Sequence, residues 1–341
     1  MPSSIEEFSF RQFLIRYAQE NLPSMTYKGG DFQSWQRDFF NKLVELRGEL
    51  PPRVPIKPEI TERVEEKDHF REKVYFYSTE GVRISSYIQI PGDLKEGEKR
   101  PGLLCLHGHT KDGKETIVGL SDSYRENPYR GYALDMVRAG FVTLTPDWWG
   151  WGEREEPDFN MGNRDKCNVK FMAAAMYGLP LLSLMIQDGQ AALDYLISRP
   201  EVDSERIGCL GNSFGGRMTM YMTVFDQRIK ACAPSGCANL FRERSSKLSS
   251  CGAQFFPGLL KYGDVGEIFS LIAPRPCLHI IGTGDPLLFE ENVEEIRQKV
   301  QTAYDALNAS ENVEFFIHDG GHYFRGDVAA EWFNKVFQTL P

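Results

Sequence analysis

A chain of 341 residues and 38.9 kDa can bury a large core, either as one big α/β domain or as a domain with an appendage. Its 41% hydrophobic and 26% charged residues are the balance of an ordinary soluble globular protein. Acidic residues outnumber basic ones by 48 to 39, for a formal charge of -9, and no Lys/Arg cluster interrupts that field, which argues against nucleic-acid and anionic-membrane partners.

The opening M-P-S-S-I-E-E-F-S-F-R-Q-F has no positive segment followed by an apolar run, so a cytoplasmic location is expected. The seven cysteines form no C-x-x-C pair, and several sit in apolar strand-like runs, consistent with buried free thiols in a reducing compartment. An N-A-S sequon at Asn308 matters only for a secreted protein.

Residues 1–70 are polar and rich in aromatics, with a helical patch at 32–46 and a Pro-rich link from Pro51. They read as a helical N-terminal extension packed on the main domain, because so many free aromatics would compromise solubility. Residues 71–341 form that domain. It opens with two strands, 73–78 and 83–91, around a T-E-G turn.

Six β-rich runs follow, at 102–108, 141–147, 206–211, 229–235, 277–284 and 313–320, most closing on Gly or Asp. Helix-length segments, including 132–139, 182–197 and 291–307, separate most of them, and 328–340 follows the last. Near-continuous apolar strands alternating with amphipathic helices predict a mostly parallel eight-stranded sheet covered on both faces. Two long connections, at about 148–181 and 236–273, are expected to be lids or pocket walls at the catalytic edge. The apolar stretch 171–186, within and just beyond the first, is broken by Gly178 and Pro180 and is too short for a bilayer.

In such sheets ligands bind at the C-terminal strand ends. I-G-C-L-G-N-S-F-G-G-R, at 207–217, puts Ser213 directly between a strand and a helix, with Gly211 and Gly215 two residues to either side. A nucleophile elbow needs small residues there, because the turn is too tight for side chains. A serine hydroxyl also needs a base. His318 alternates within the last strand and reads as structural, whereas His322, in D-G-G-H-Y-F, lies in a turn from which an imidazole can reach across the sheet top. The orienting carboxylate should leave a strand between them, and Asp285 in I-I-G-T-G-D-P does so, ahead of the runners-up Glu290 and Asp319.

Donors for a developing oxyanion are expected from the backbone N–H of Phe214 and of His109, with Thr110 the neighbouring alternative. His107 and His109 form an H-x-H pair, but no third ligand of suitable spacing lies nearby, so no metal site and no cofactor are expected. Asp147 is assigned a structural role, bonding loop amides near His107. Trp148, Trp149 and Trp151 are substrate-pocket candidates, as a platform for a sugar, and equally anchors for the long insertion.

Together these residues resemble an α/β-hydrolase, of the serine-dependent group related to dienelactone hydrolases, acetyl xylan esterases and the catalytic domains of prolyl oligopeptidases. The resemblance covers about residues 72–340 and rests on H-G-H-T at 107–110, D-W-W-G-W-G at 147–152, G-N-S-F-G-G at 211–216, G-T-G-D-P at 282–286 and G-G-H at 320–322. It implies Ser213 as nucleophile, Asp285 as acid, His322 as base, and Phe214 with His109 as oxyanion amides. Dienelactone hydrolases proper carry a cysteine nucleophile, and peptide-cleaving prolyl oligopeptidases carry a β-propeller for which 70 residues are too few. The expectation is therefore a serine esterase acting on short-chain or acetyl esters, with sugars among the candidate alcohols. A peptidase or amidase using the same residues, and a non-catalytic binding protein on this scaffold, are the alternatives. A small-molecule ester is the expected partner, and the sequence leaves room for a homo-oligomer.

Overall fold

The computed structural model describes residues 9–156, 166–247 and 250–340. Parts of both long connections, 157–165 and 248–249, therefore lie outside the described residues.

Two N-terminal helices, α1 (Phe10–Glu20) and α2 (Phe32–Arg47), come first. Asp31 caps α2 by accepting the Ser34 N–H at 3.1 Å. Phe39 and Leu43 are fully buried from this helix, and Gln36 Nε2 donates to Ala273 O at 2.7 Å. The Met25 N–H donates to Tyr262 O at 2.9 Å. The N-terminal segment is thus fastened to the 236–273 connection by both apolar packing and backbone bonds.

Three antiparallel strands follow: β1 (Glu59–Glu65), β2 (His69–Thr79) and β3 (Val82–Pro91). The parallel part is then built from β4 (Arg100–Leu106), short helices α3 (Lys114–Ile117) and α4 (Asp122–Glu126), α5 (Tyr132–Arg138), β5 (Val142–Pro146), α6 (Lys166–Ala175), α7 (Leu181–Ser198), β6 (Val202–Asn212), α8 (Phe214–Phe225) and β7 (Ala231–Ser235). It closes with α9 (Phe241–Lys247), α10 (Val265–Ser270), β8 (Cys277–Gly282), α11 (Glu290–Ala306), β9 (Val313–His318) and α12 (Gly326–Thr339).

The strand order is β1-β2-β3-β5-β4-β6-β7-β8-β9, so the sheet has nine strands where the sequence pattern gives eight. The extra one, β1, falls inside the segment expected to be helical. Its E-I-T-E-R-V-E sequence is almost wholly exposed, and it is an edge strand held to β2 by cross-strand ion pairs, Arg71 to Glu62 at 3.0 Å and Arg63 to Glu72 at 3.2 Å. Such a charged edge also discourages pairing with another chain.

Side-chain alternation divides the core between two faces. In β4, Leu104 and Leu106 point into one cluster, with Leu182 and Met185 of α7 and Met218 of α8. Leu103 and Cys105 point into the other, with Tyr132 and Met136 of α5 and Phe333 of α12. Burying each such large side chain contributes about 1.5–3 kcal/mol. The chain leaves β4 toward β5 on one side and returns to β6 on the other, so the loops after β4 and β6 diverge. That switch point is where an open α/β sheet offers a crevice.

Candidate active site

Ser213 is the single residue between β6 and α8, and its backbone is left-handed, with φ +61° and ψ -119°. A non-glycine residue held there costs on the order of 1–3 kcal/mol. The turn is enforced from both ends. Ser213 N–H donates to Ser235 O at 2.9 Å, and Arg217 N–H donates to Ser213 O at 3.0 Å. The glycine spacing has a steric cause: a methyl on Gly215 would sit 1.9 Å from Leu106 O, and one on Gly211 would sit 2.5 Å from the Gly215 carbonyl carbon.

His322 and Asp285 arrive from the loops after β9 and β8. These loops are joined by backbone bonds, Thr283 N–H to His318 O at 2.8 Å and Gly284 N–H to Gly320 O at 3.0 Å. Asp285 Oδ2 lies 2.5 Å from His322 Nδ1, and its other oxygen accepts the Leu287 N–H at 2.9 Å. The carboxylate is 1% exposed and the imidazole 26%. With the proton between Nδ1 and the carboxylate, Nε2 keeps a free lone pair. Ser213, Asn212 and His322 line one cavity of about 330 Å³.

The loop after β4 closes against the serine turn. A methyl on Gly108 would lie 3.3 Å from Ser213 Cβ and 3.0 Å from Asn212 O. The Thr110 N–H is already taken by Gly108 O at 2.8 Å, which leaves His109 as the better-placed donor of the two. Phe214 N–H is the first of α8 and has no carbonyl one turn earlier in that helix.

The comparisons with known proteins concern the family and the fold. Residues 14–327 match the model of the Abhydrolase family. The chain belongs to the Abhydrolase family. A Bacillus subtilis protein provisionally named hydrolase YtaP is 29% identical over 290 residues, covering 83% of this chain and 92% of its own. Among solved structures, a provisionally named acetyl xylan esterase from Bacteroides fragilis superposes with a TM-score of 0.80 at 18% identity, covering 98% of this chain and 97% of that one. A glucuronoyl esterase from Solibacter usitatus gives 0.67 at 16% identity, over 93% and 97% of the two chains. The fold is therefore the α/β-hydrolase fold of this family.

In this Abhydrolase family member a buried polar cluster supports the post-β4 loop. Asp147, completely buried, accepts the N–H of Lys114 at 2.8 Å and of Glu153 at 3.1 Å, and pairs with Lys114 Nζ at 2.6 Å. Lys114 Nζ also reaches Glu153 at 2.7 Å. Burial opposes the Glu153 charge, but Lys114, Tyr75 and Lys73 outweigh it and hold this carboxyl down at about 2. His107 Nε2 accepts the Trp148 N–H at 3.1 Å, so its proton is on Nδ1, which donates to Gly108 O at 2.8 Å. Burial lowers this imidazole to about 4, against a smaller opposing effect of Asp147. His107 is thus a neutral brace, not half of an H-x-H ligand pair.

The three tryptophans lie outside the cavity wall. Trp148 is fully buried, edge-on to Phe214 at 6.5 Å. Trp149 lies under the Arg154 guanidinium at 3.9 Å and faces a separate groove with Lys170 and Tyr177. Trp151 packs on the His109 ring at 5.0 Å. The aromatic wall instead comes from Tyr129, Tyr132, Tyr323 and Phe324, with Tyr129 stacked on Tyr323 at 4.6 Å. Nothing in N-P-Y-R-G-Y marks Tyr129 locally as a site residue. His318 is buried at the end of β9, accepting the Gly320 N–H at 3.1 Å, while Glu290 and Asp319 are exposed. All seven cysteines are buried and unbridged. No helix among the described residues is long and apolar enough to cross a membrane.

Proposed function

We propose that the protein is a serine-dependent carboxylic ester hydrolase working through an acyl-enzyme, with acetyl or other short-chain esters as substrates. The observation that carries this reading is His322, paired with the buried Asp285 and lining one cavity with a serine held in a strained elbow. Ser213 Oγ attacks the ester carbonyl carbon while His322 Nε2 takes its proton. The carbonyl oxygen gains the negative charge, and the N–H groups of Phe214 and His109 stabilise it. Collapse of the tetrahedral intermediate breaks the bond to the alcohol, whose oxygen receives the proton from His322. Water then repeats the sequence on the acyl-serine, giving the acid and restoring Ser213. Asp285 holds the tautomer and stabilises the imidazolium without taking the proton.

The cavity is small, and Lys111, Thr116, Ser123 and Arg130 on its wall suit a polar alcohol such as a sugar better than a long acyl chain. The names of the structural neighbours, acetyl xylan and glucuronoyl esterases, support the carbohydrate-ester class. A panel of short-chain and acetylated-sugar esters, with matched aminoacyl amides, tests the proposal. Ester turnover that disappears in Ser213→Ala is the expected result. Comparable rates on an ester and its amide would move the protein to the peptidases, and undiminished ester turnover in Ser213→Ala would remove the mechanism.

A further inference from the structure

Beside the cavity, three metal-ligating side chains converge from distant parts of the chain. His109 follows β4, Cys167 lies in the first turn of α6, and Cys251 sits in the 236–273 connection. The atoms His109 Nε2, Cys167 Sγ and Cys251 Sγ all lie within 4.8 Å of one another, and His109 Nε2 is 3.5 Å from Cys167 Sγ. Among the described residues this is the one place where three such groups meet.

We propose that His109, Cys167 and Cys251 form a binding site for a thiophilic d10 cation such as Zn²⁺. With Zn–S near 2.3 Å and Zn–N near 2.0–2.1 Å, a tetrahedral site has an S···N edge of about 3.6 Å and an S···S edge of about 3.8 Å. The His109–Cys167 separation is already that edge, and the remaining pairs need to close by no more than about 1.0–1.2 Å. Two thiolates and a neutral imidazole balance the charge of the ion, so the loaded site carries no net charge into a largely buried place. Both cysteines are buried, whereas His109 is exposed and lines the cavity, which leaves the fourth position to water or a small exogenous ligand.

The groups around the ligands hold them in place. Cys251 Sγ accepts the Ala253 N–H at 3.4 Å, a contact that stabilises a thiolate. The Gly252 N–H donates to Asn168 Oδ1 at 2.8 Å, joining the Cys251 turn to the helix that carries Cys167. Phe171 packs so closely on Gly252 that a methyl there would lie 2.2 Å from the ring. The His109 ring is stacked on Phe214 at 4.7 Å and flanked by Trp151. A bound ion would therefore fasten both long connections to the loop that closes on Ser213. Ion binding stands apart from the esterase reading, because none of the three side chains takes part in the proposed chemistry.

The test uses the full chain, reduced and stripped with a chelator, and titrated with Co²⁺ as a spectroscopic probe. One Co²⁺ per chain, with a thiolate-to-cobalt charge-transfer band and tetrahedral d–d bands that Zn²⁺ displaces, is the expected result. Losing an outer partner of a metal site costs about 10- to 100-fold in affinity, so Cys167→Ser and Cys251→Ser should each weaken Zn²⁺ binding by at least that and reduce the charge-transfer band. His109→Ala changes an exposed side chain, so it tests the site without threatening the fold. It should weaken binding while keeping the thiolate band. Absence of that band in the wild-type protein, or its survival undiminished in both cysteine variants, would overturn the proposal.

Discussion

The two sides of the cavity are built by different means. On one side, the loops after β8 and β9 are joined by main-chain hydrogen bonds, and a single carboxylate orients His322. On the other, the loop after β4 is braced by a buried polar cluster of Lys114, Asp147 and Glu153, with the neutral His107 beside it. The two sides should therefore fail in different ways. Substitutions on the His322 side should remove activity and leave the fold, whereas substitutions on the His107 side should first lower stability.

The largest expected effect is on the first side. His322→Ala should lower kcat for ester hydrolysis by roughly 10^6-fold, the scale of losing a nucleophile's base, with the thermal midpoint almost unchanged. Asp285→Asn should follow at about 10^4-fold, because the amide presents the wrong partner to Nδ1. Steady-state kinetics alongside thermal melts check both. Large stability losses in these variants would erase the proposed contrast.

On the braced side, Lys114→Met leaves Asp147 buried without its cation and should cost about 3–5 kcal/mol, read by urea denaturation. His107 gives a smaller, pH-dependent effect. In the unfolded chain an imidazole protonates near 6.5, but in the fold burial holds His107 at about 4, so the unfolded state binds the proton first. Stability is therefore complete above about pH 6.5 and falls as pH drops toward 4, by roughly 3 kcal/mol in total. Buried His279, lowered to about 3, adds a slope of the same sign. His107→Gln should flatten the curve between pH 7 and 4.5 by the His107 share. An unchanged slope would remove His107 from the account. The smallest effect is the release of strain. Ser213→Gly should stabilise the protein by about 1 kcal/mol, once the greater freedom of glycine in the unfolded chain is offset against the relieved backbone.

The sequence shows the two sides unequally. The elbow is legible because its steric demand is local: two glycines at fixed distances from Ser213, between a strand and a helix. Asp285 and His322 are legible because each leaves a strand end in a turn. Strands β4 and β8 are legible as near-continuous apolar runs, the mark of burial on both faces, although only the structure shows which residue points to which face. The edge strand β1 is not, since only Ile60 and Val64 in it are apolar and its pairing depends on charges from β2. The cavity wall is hidden as well. Tyr129 reaches it only through the path of the loop before α5, and Trp148, conspicuous in the sequence, is fully buried and does not line it. Cys167 and Cys251 look like core thiols because their meeting with His109 depends on how two long connections fold over one edge. Local patterns record local constraints, and these convergences are not local.

The most direct test of the central claim is active-site labelling with a fluorophosphonate, followed by peptide mapping, in the wild-type protein and in His322→Ala. The expected result is one equivalent of label on Ser213, with a labelling rate at least about 100-fold lower in His322→Ala, the lower range of what a general base contributes. A folded protein whose Ser213 remains unlabelled, or labels equally fast without His322, would contradict it.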